Sequence, residues 1–297
     1  MMKQKVYVIV GPTASGKTAA AIELAKLING EIISADSMQI YKKMNIGTAK
    51  PTLKEMQGIV HHMIDIVEPD DDFSVAMFQK MAKECIKEIF LRGKTPIVVG
   101  GTGLYINSIT YLLDFTKTIH DEVLREKLNK LDNIQLHQLL KNADEQSAQR
   151  IHPNDKKRVI RRLEILQSGK TDSYDFDVPN TEHQFIISGL STDRKLLYER
   201  INQRVDDMIQ NGLIDEAKCV YNQYGGKITS MQAIGYKEIV GFFEDKISQE
   251  ECIELIRRNT RRFAKRQLTW FCRDERINWI NTAEFSNMKE LAQSMIK

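Results

Sequence analysis

The segment from Val6 to Thr18 constrains what this chain can fold into more than any other part of the sequence. It reads as a buried strand, Val6 to Val10, followed by the turn GPTASGKT at 11–18 and then by a helix that begins at Lys17. The turn matches the phosphate-loop pattern GxxxxGK(S/T), in which backbone N–H groups and the helix dipole bind phosphate oxygens. The sequence therefore predicts a phosphate site in an α/β fold but does not indicate which phosphate compound binds.

The chemistry of the loop assigns a role to its last two residues. Lys17 neutralises phosphate charge, and the hydroxyl of Thr18 is a candidate Mg²⁺ ligand. The residues predicted to contact the phosphates are Gly11, Thr13, Ala14, Ser15, Gly16, Lys17 and Thr18.

The order of strand and helix patterns predicts the architecture. Strands alternate with helices up to about residue 113, and the strand pattern resumes at His183. This order is typical of a parallel sheet with right-handed crossovers. Between residues 114 and 182 the pattern changes to short, charged helical segments. We therefore expect an α/β fold, a P-loop nucleoside-triphosphatase-like parallel-sheet core (1–113 and 183–297) with a helical insertion domain (114–182).

Asp36 follows the second predicted strand, at the carboxyl edge where open α/β sheets bind ligands. A carboxylate beside a magnesium phosphate site can be a metal ligand or a general base. An ordinary P-loop nucleoside triphosphatase places an acidic metal ligand at the end of another buried strand. Here the strand Ile97 to Val99 runs instead into Gly-Gly-Thr, which weakens the case for ATP hydrolysis.

Two basic clusters stand out because the formal net charge is only +3. One lies in the insertion between Arg150 and Arg162, and the other lies between Arg257 and Arg266 at a spacing that lines one helical face. A solvated charged face explains one such run. Two of them on a nearly neutral protein favour polyanion binding.

Composition excludes several other classes of protein. The longest apolar stretches are strand-sized, so we expect no membrane span, and the N-terminal residues lack the pattern of a secretory signal, so we expect a cytoplasmic protein. The four cysteines have no metal-ligand spacing, which favours buried thiols over zinc or disulfides. His61 and His62 are adjacent and point in divergent directions, which indicates a structural role.

The chain resembles the bacterial tRNA dimethylallyltransferase (tRNA isopentenyltransferase) family along nearly its whole length. The resemblance rests on GPTASGKT at 11–18, ISADSMQIYKKMNIGTAKP at 33–51, VVGGTGLYI at 98–106, RIHPNDKKRVIRRLEI at 150–165, IGYKE at 234–238 and AKRQLTWF at 264–271. Several motifs in one order are far more specific than the phosphate loop alone.

The resemblance implies transfer of a dimethylallyl group from dimethylallyl diphosphate to N6 of the adenine 3′-adjacent to the anticodon of tRNA, with release of diphosphate. In that family the phosphate loop would hold the diphosphate, and the catalytic residues would be Asp36 as base, with Thr18, Mg²⁺ and Arg204 stabilising the leaving group. Without the resemblance Arg204 would be interpreted as a surface cation. The implied partners are the anticodon stem-loop of tRNA and the isoprenoid donor, with no membrane and no protein partner. The tRNA-binding residues implied in this way are Asp36, Ser37, Met38, Gln39, Thr102, Arg125, Lys157, Arg158, Arg161, Gly235 and Tyr236.

Two other function classes remain open from the residues alone. A small-molecule kinase using ATP would also need the phosphate loop, and its insertion would close as a lid over the phosphates. The second basic cluster and the missing acidic strand end fit that function less well. A non-catalytic RNA-binding protein would leave the phosphate loop and Asp36 unexplained.

Overall fold

We analysed a computed structural model of the chain, which describes residues 3–113, 115, 122–167 and 178–296. Six strands within these ranges form one sheet: β1 (Lys5–Val10), β2 (Gly30–Ser34), β3 (His61–His62), β4 (Thr95–Gly100), β5 (Gln184–Ser191) and β6 (Asn278–Asn281). Their order across the sheet is β3-β2-β4-β1-β5-β6. Every neighbouring pair is parallel, so the carboxyl ends of β1, β2 and β4 meet at one edge.

Helices connect and cover the strands. In chain order they are α1 (Lys17–Ile28), α2 (Leu53–Met56), α3 (Val75–Leu91), α4 (Gly103–Thr110), α5 (Glu122–Asn129), α6 (Asn133–Ala143), α7 (Glu145–Arg150), α8 (Lys156–Gln167), α9 (Arg194–Gln210), α10 (Leu213–Tyr224), α11 (Tyr236–Phe243), α12 (Gln249–Phe271) and α13 (Met288–Ser294). Short 3₁₀ helices occupy Ser230–Gln232 and Thr282–Glu284. None of the helices in the described part of the chain is long and apolar enough to span a membrane.

The chain divides into two compact units. Unit 1 comprises Met1–Tyr111 and Pro179–Lys297 and contains the sheet, whereas unit 2 comprises Leu112–Val178. The insertion was predicted at 114–182. Unit 2 therefore starts two residues earlier and ends four residues earlier than the predicted insertion.

The core of unit 1 lies on both faces of the sheet, as a parallel sheet requires. Alternate residues of β1 point to opposite faces: Val6 and Val8 pack with α3 and α4, while Tyr7 and Ile9 pack with α1 and α13. Burying each such aliphatic side chain contributes about 1.5–3 kcal/mol. The strand that carries the phosphate loop is therefore fixed from both sides.

Unit 2 has a small apolar core of its own. Leu136 and Leu140 of α6 are fully buried and pack with Val159 and Ile160 of α8. The side chain of Asp132 caps α6 by accepting the backbone N–H of Gln135. Apolar residues at helical spacing thus explain why this charged segment folds as a helical unit.

The strand predicted from Val6 to Val10, the helix predicted from Lys17 and the strand predicted from Ile97 to Val99 recur as β1, α1 and β4 with end shifts of at most two residues, and the α/β class is confirmed. The two-residue strand β3 was not predicted, because two histidines carry no strand signal. There His62 contacts Glu31 of β2 through an Nε2 to Oε2 distance of 2.7 Å.

The prediction that the cysteines are buried is only partly right. All four thiols are free; Cys252 is buried and Cys85 is half-buried, but Cys219 and Cys272 are exposed. Cys219 lies on the solvent side of an amphipathic helix and Cys272 caps the end of α12. Composition could not show on which side of a helix each thiol lies.

We expect unit 1 to fold without unit 2. The two chain ends at the junction lie side by side, since Asn180 donates its N–H to the carbonyl of Thr110 at 3.0 Å and Tyr111 forms a β-bridge with Pro179. Replacing residues 113–177 with a short Gly/Ser linker therefore closes a gap that is already short. Circular dichroism should show a cooperative thermal transition with the α/β signature. A non-cooperative transition would contradict the independence of unit 1.

Candidate active site

The phosphate loop follows β1 in a conformation that glycine makes accessible. Gly11 has a φ of +143°, and a Cβ at this position would lie 2.7 Å from the carbonyl oxygen of Leu190 in β5. The backbone can thus pass close to the neighbouring strand. Lys17 folds back over the loop and donates from Nζ to the carbonyl of Pro12 at 2.7 Å, so the predicted phosphate-binding cation lies above the loop backbone.

Thr13 makes a contact that the motif did not predict, and Ser15 lacks one. The N–H of Thr13 donates to Oε1 of Gln267 in α12 at 2.8 Å. This backbone donor is therefore already used within the protein. The hydroxyl of Ser15 is buried and has no hydrogen-bond partner among the described residues. Thr18 is exposed on the first turn of α1.

Asp36 lies beside the phosphate loop because β2 is separated from β1 only by β4. Its Oδ1 accepts the N–H of Met38 at 2.9 Å. The next residue, Ser37, donates its N–H to Oγ1 of Thr102, which follows β4, at 3.0 Å. A Cβ on Gly100 would lie 2.1 Å from the carbonyl oxygen of Ala35. Glycine at the end of β4 thus permits the close approach that brings the loops after β2 and β4 together.

The remaining residues of the loop after Asp36 are held from within. Gln39 accepts the hydroxyl of Ser34 at 2.9 Å and donates to the carbonyls of Thr48 and Ala49, each at 3.2 Å. Met38 is half-buried and packs against the cluster of α9 to α12. Gln39 therefore orders the segment from Asp36 to Ala49.

Lys17, Asp36 and Arg204 form one electrostatic group. Burial and the nearby charge of Arg204 lower the pKa of Lys17 to about 7, while Asp36 opposes this shift. Burial raises the pKa of Asp36, although the N–H of Met38 and the charge of Lys17 counteract it. Burial also lowers the pKa of Arg204. Two desolvated cations and one carboxylate leave a net positive charge, which suits an anionic ligand.

Gly235 and Tyr236, which the resemblance implies for tRNA binding, are both buried. The hydroxyl of Tyr236 donates to Oε1 of Glu216 at 2.6 Å. Glu216 also accepts the backbone N–H groups of residues 45–47 at 2.7–3.1 Å. These contacts connect α10 and α11 to the loop that follows Asp36. A direct tRNA contact by Tyr236 stays a prediction.

The basic cluster of α12 divides into two faces. Arg257 forms an ion pair with Asp206 of α9, and Arg261 donates to Asn202 of α9 at 2.6 Å. The other four cations are exposed, and none of them forms an ion pair with a carboxylate of the described residues. We call them the exposed α12 stripe; they are Arg258, Arg262, Lys265 and Arg266. Of the six cations that the spacing places on one face of α12, two thus meet α9 and four are exposed.

The four cations of unit 2 that the resemblance implies for tRNA binding are similarly divided. Arg125 forms a two-bond pair with Glu164 at 2.8 and 2.9 Å, and Arg161 reaches the same carboxylate at 3.2 Å. Lys157 and Arg158 are exposed on α8. Arg125 and Arg161 thus already hold a buried carboxylate, whereas Lys157 and Arg158 are exposed and Arg158 pairs only with the half-buried Asp155, at 3.2 Å. The tRNA contacts of all four stay predictions.

The donor set indicates what kind of metal the site could hold. No group of three or more His, Cys, Asp or Glu side chains able to hold a metal ion occurs among the residues that the structure describes. Near the loop the candidate oxygen ligands are the hydroxyl of Thr18 and the carboxylate of Asp36. Mg²⁺ usually keeps several waters and binds one or two protein oxygens plus substrate phosphates. These residues therefore fit a metal that arrives with a phosphate ligand.

Gln267 and Glu216 were not predicted from the sequence as parts of this site. Gln267 lies on the buried face of α12 between Ala264 and Phe271. A polar amide among apolar positions at helical spacing was the available signal. Glu216 carried no such signal, since it lies in an ordinary charged first turn of α10.

Family models match the chain over most of its length. The model described as IPP transferase matches residues 39–274, and the model described as isopentenyl transferase matches residues 4–68. Together they include the phosphate loop, the loop after Asp36 and α12.

Curated relatives are similar over the whole chain. A tRNA dimethylallyltransferase of Thermoanaerobacter pseudethanolicus is 51% identical over 310 residues, covering 100% of this chain and 98% of the relative. A tRNA dimethylallyltransferase of Carboxydothermus hydrogenoformans is 50% identical and covers 99% and 97%.

Solved structures share the fold. The full-length tRNA isopentenylpyrophosphate transferase of Bacillus halodurans has a TM-score of 0.76 at 43% identity, covering 99% of this chain and 95% of that one. A eukaryotic dimethylallyltransferase, solved acting on tRNA, has a TM-score of 0.80 at 32% identity and covers 98% and 75%. The P-loop nucleoside-triphosphatase-like fold predicted from the sequence is thereby confirmed.

The charge of Lys17 makes folding stability depend on pH. Its pKa is about 7 in the folded state against 10.5 for a free lysine. The unfolded chain thus binds more protons between these values, and Lys17 makes the fold more stable as pH rises through that range. We expect Lys17→Met to raise the Tm by a few degrees near pH ~6.5, since about 1 kcal/mol shifts the Tm of a chain of this size by roughly 2–4 °C.

This gain should shrink toward pH ~9.5, where Lys17 is largely neutral in the folded protein. Differential scanning fluorimetry across this range checks the trend. Lys26→Met, which removes an exposed lysine from the same helix, is the matched control. A Tm difference that does not change with pH would show that the Lys17 charge is not desolvated.

Proposed function

This chain belongs to the IPP transferase family and is a prenyltransferase that modifies tRNA, and we propose that dimethylallyl diphosphate is its donor and that Asp36, Lys17, Thr18 and Arg204 carry the reaction. The observation that supports this most is the meeting of a phosphate loop and a buried carboxylate at one sheet edge, with Lys17 interacting with both Asp36 and Arg204. A donor diphosphate and an acceptor amine could meet there.

The reaction requires one bond to form and one to break. The N6 amine of adenine attacks C1 of the dimethylallyl group, the C1–O bond breaks, and diphosphate leaves with the electron pair. The proton lost from N6 passes to Asp36. A carboxylate whose pKa is raised by burial is a stronger base than an exposed one, which favours this proton transfer.

Charge on the leaving diphosphate is stabilised by residues of the loop. Lys17 and Arg204 supply cations in a desolvated setting, where each interaction is stronger than in water. Diphosphate binding should also raise the pKa of Lys17, because an adjacent anion favours its charged form. The lysine that is half neutral near pH 7 would then be charged in the donor complex.

Members of this family commonly use a divalent metal, and we propose Mg²⁺, held by the hydroxyl of Thr18 together with diphosphate oxygens. When bound, the ion would neutralise leaving-group charge. Asp36 is then free to act on the acceptor amine rather than to serve as a metal ligand.

We propose that tRNA is held by exposed cations of both units. The candidates are the exposed α12 stripe of unit 1 and the pair Lys157 and Arg158 of unit 2. Phosphate contacts position a nucleic acid, whereas the adenine must leave its stack to reach Asp36. We propose that Ser37 and Thr102, which hydrogen-bond to each other beside Asp36, contact that base.

One assay separates this function from a kinase. The purified chain is incubated with labelled dimethylallyl diphosphate and unmodified tRNA, and in parallel with γ-labelled ATP and tRNA or candidate small acceptors. We expect label to pass to tRNA from dimethylallyl diphosphate and not from ATP. Phosphoryl transfer from ATP without isoprenoid transfer would refute the proposal.

Substitution of the proposed base should affect turnover far more than binding. General-base catalysis typically contributes about 10²- to 10⁴-fold, so Asp36→Asn should lower kcat by roughly 100-fold or more while the KM for the donor changes little. Lys17→Ala should instead raise the KM for the donor. Steady-state kinetics with both substrates checks this split, and near-normal turnover of Asp36→Asn would rule out the base assignment.

The exposed α12 stripe should account for part of the salt dependence of tRNA binding. Each phosphate neutralised contributes about −0.7 to −0.9 to the slope of log K against log salt. Replacing Arg258, Arg262 and Arg266 with Gln should therefore flatten the slope by about 2 to 3, as measured by fluorescence anisotropy. The triple variant Lys80→Gln, Lys83→Gln, Lys87→Gln removes three exposed cations from α3 and is the matched control. Equal slopes for the two triple variants would mean that the stripe does not contact tRNA.

A further inference from the structure

We propose that Gln267 is a positioning residue that ties the phosphate loop to the loop after β4 and so sets the geometry of the donor site. This inference rests on the proposed function, because it concerns binding of the diphosphate part of the donor. Gln267 is not placed to touch the reacting atoms. It acts through the backbone of two loops.

The side-chain amide of Gln267 is 5% exposed and makes two hydrogen bonds of opposite polarity. Its Oε1 accepts the N–H of Thr13 at 2.8 Å, and its Nε2 donates to the carbonyl of Gly101 at 3.0 Å. A backbone N–H can only donate and a carbonyl can only accept, so the position needs one acceptor and one donor on the same group. Glutamate lacks the donor when ionised, methionine lacks both, and asparagine is one methylene shorter.

Gly101 leaves the space that this amide fills. A Cβ at position 101 would lie 2.1 Å from Nε2 of Gln267. Gly101 and Gln267 are 166 positions apart in the chain, so no local rule links their identities. Because Gly101 has no side chain, the side-chain amide of Gln267 can occupy this space.

The two hydrogen bonds connect the phosphate loop, where the isoprenoid donor is proposed to bind, to the loop after β4, which lies beside the proposed acceptor site. Thr13 lies in the phosphate loop between Gly11 and Lys17, while Gly101 precedes Thr102, which holds Ser37 beside Asp36. Without the amide, the partly buried N–H of Thr13 and the buried carbonyl of Gly101 would lose their partners. Because an unpaired buried polar group is unfavourable, both loops would relax toward other partners. Displacement of the phosphate loop would weaken diphosphate binding.

The test uses the full chain and two near-isosteric variants, Gln267→Met and Gln267→Glu. Binding of inorganic diphosphate with Mg²⁺ is measured by calorimetry, and the KM values for dimethylallyl diphosphate and tRNA are measured separately. We expect each variant to raise both the Kd for diphosphate and the KM for the donor about 10-fold or more, the size of one lost buried hydrogen bond. The KM for tRNA should change by less than about twofold.

Ser230→Ala is the matched control for stability. The buried hydroxyl of Ser230 donates to the carbonyl of Pro69 at 2.7 Å, so this variant also removes a buried side-chain bond to a backbone carbonyl. It should lower the Tm without changing the donor KM. If Gln267→Met behaves like Ser230→Ala, with a lower Tm and an unchanged donor KM, the positioning role is overturned.

Gly101→Ala tests the same contact from the other side. The added methyl displaces the amide, so the donor KM should rise as in Gln267→Met, and the double variant should show little further increase because both changes break one contact. Fully additive effects would contradict a shared contact. Failure of the unsubstituted chain to bind diphosphate would refute the proposed function instead, so the two failures are distinguishable.

Discussion

Burial of unlike charges at the carboxyl ends of β1 and β2 is the constraint on which the candidate site depends. Lys17 is desolvated next to Arg204, a like charge that disfavours its protonated form, and Asp36 offsets only part of this. Such an arrangement costs folding free energy unless an anion completes it. Each cation is held by an element that is itself fixed, because α1 follows the buried strand β1 and α9 packs against α12. The fold thus maintains an excess of positive charge at this site, which suits the proposed phosphate ligand.

Much of the fold could be predicted from the sequence, because it is encoded locally. The alternation of strands and helices, the phosphate loop and the helix α1 follow from the hydrophobic period and the glycine-rich turn within short windows. Asp36 could be placed at the ligand edge for the same reason, since it directly follows a strand. The edge strand β3 could not be predicted, because its two residues gain their conformation only by pairing with Ile32 and Ile33 of β2.

The contacts that hold the site together could not be predicted, because they join distant parts of the chain. The carboxylate of Glu216 lies about 170 positions from the backbone groups that it binds. Basic residues present the same difficulty. Arg257 and Arg258 are neighbours in sequence, yet Arg257 pairs with Asp206 of α9 while Arg258 faces solvent. Helical spacing indicates which cations share a face but not which face meets another helix, so it overestimated the positive surface.

The end of β4 helps to explain how a phosphate loop can be used in a reaction that breaks a carbon–oxygen bond. In phosphoryl transfer the reacting atom is phosphorus, and the protein must place a metal ligand and a nucleophile around it. In prenyl transfer the bond that breaks is between carbon and oxygen, so the phosphates need only be held and neutralised while the amine approaches C1. Glycines at positions 100 and 101 bring the Asp36 loop against β4, which an acidic side chain at Gly100 would prevent, since even a Cβ there meets the Ala35 carbonyl at 2.1 Å. Close packing at this strand end therefore leaves no room for a carboxylate metal ligand at position 100, which is compatible with the proposed role of Asp36 as the base.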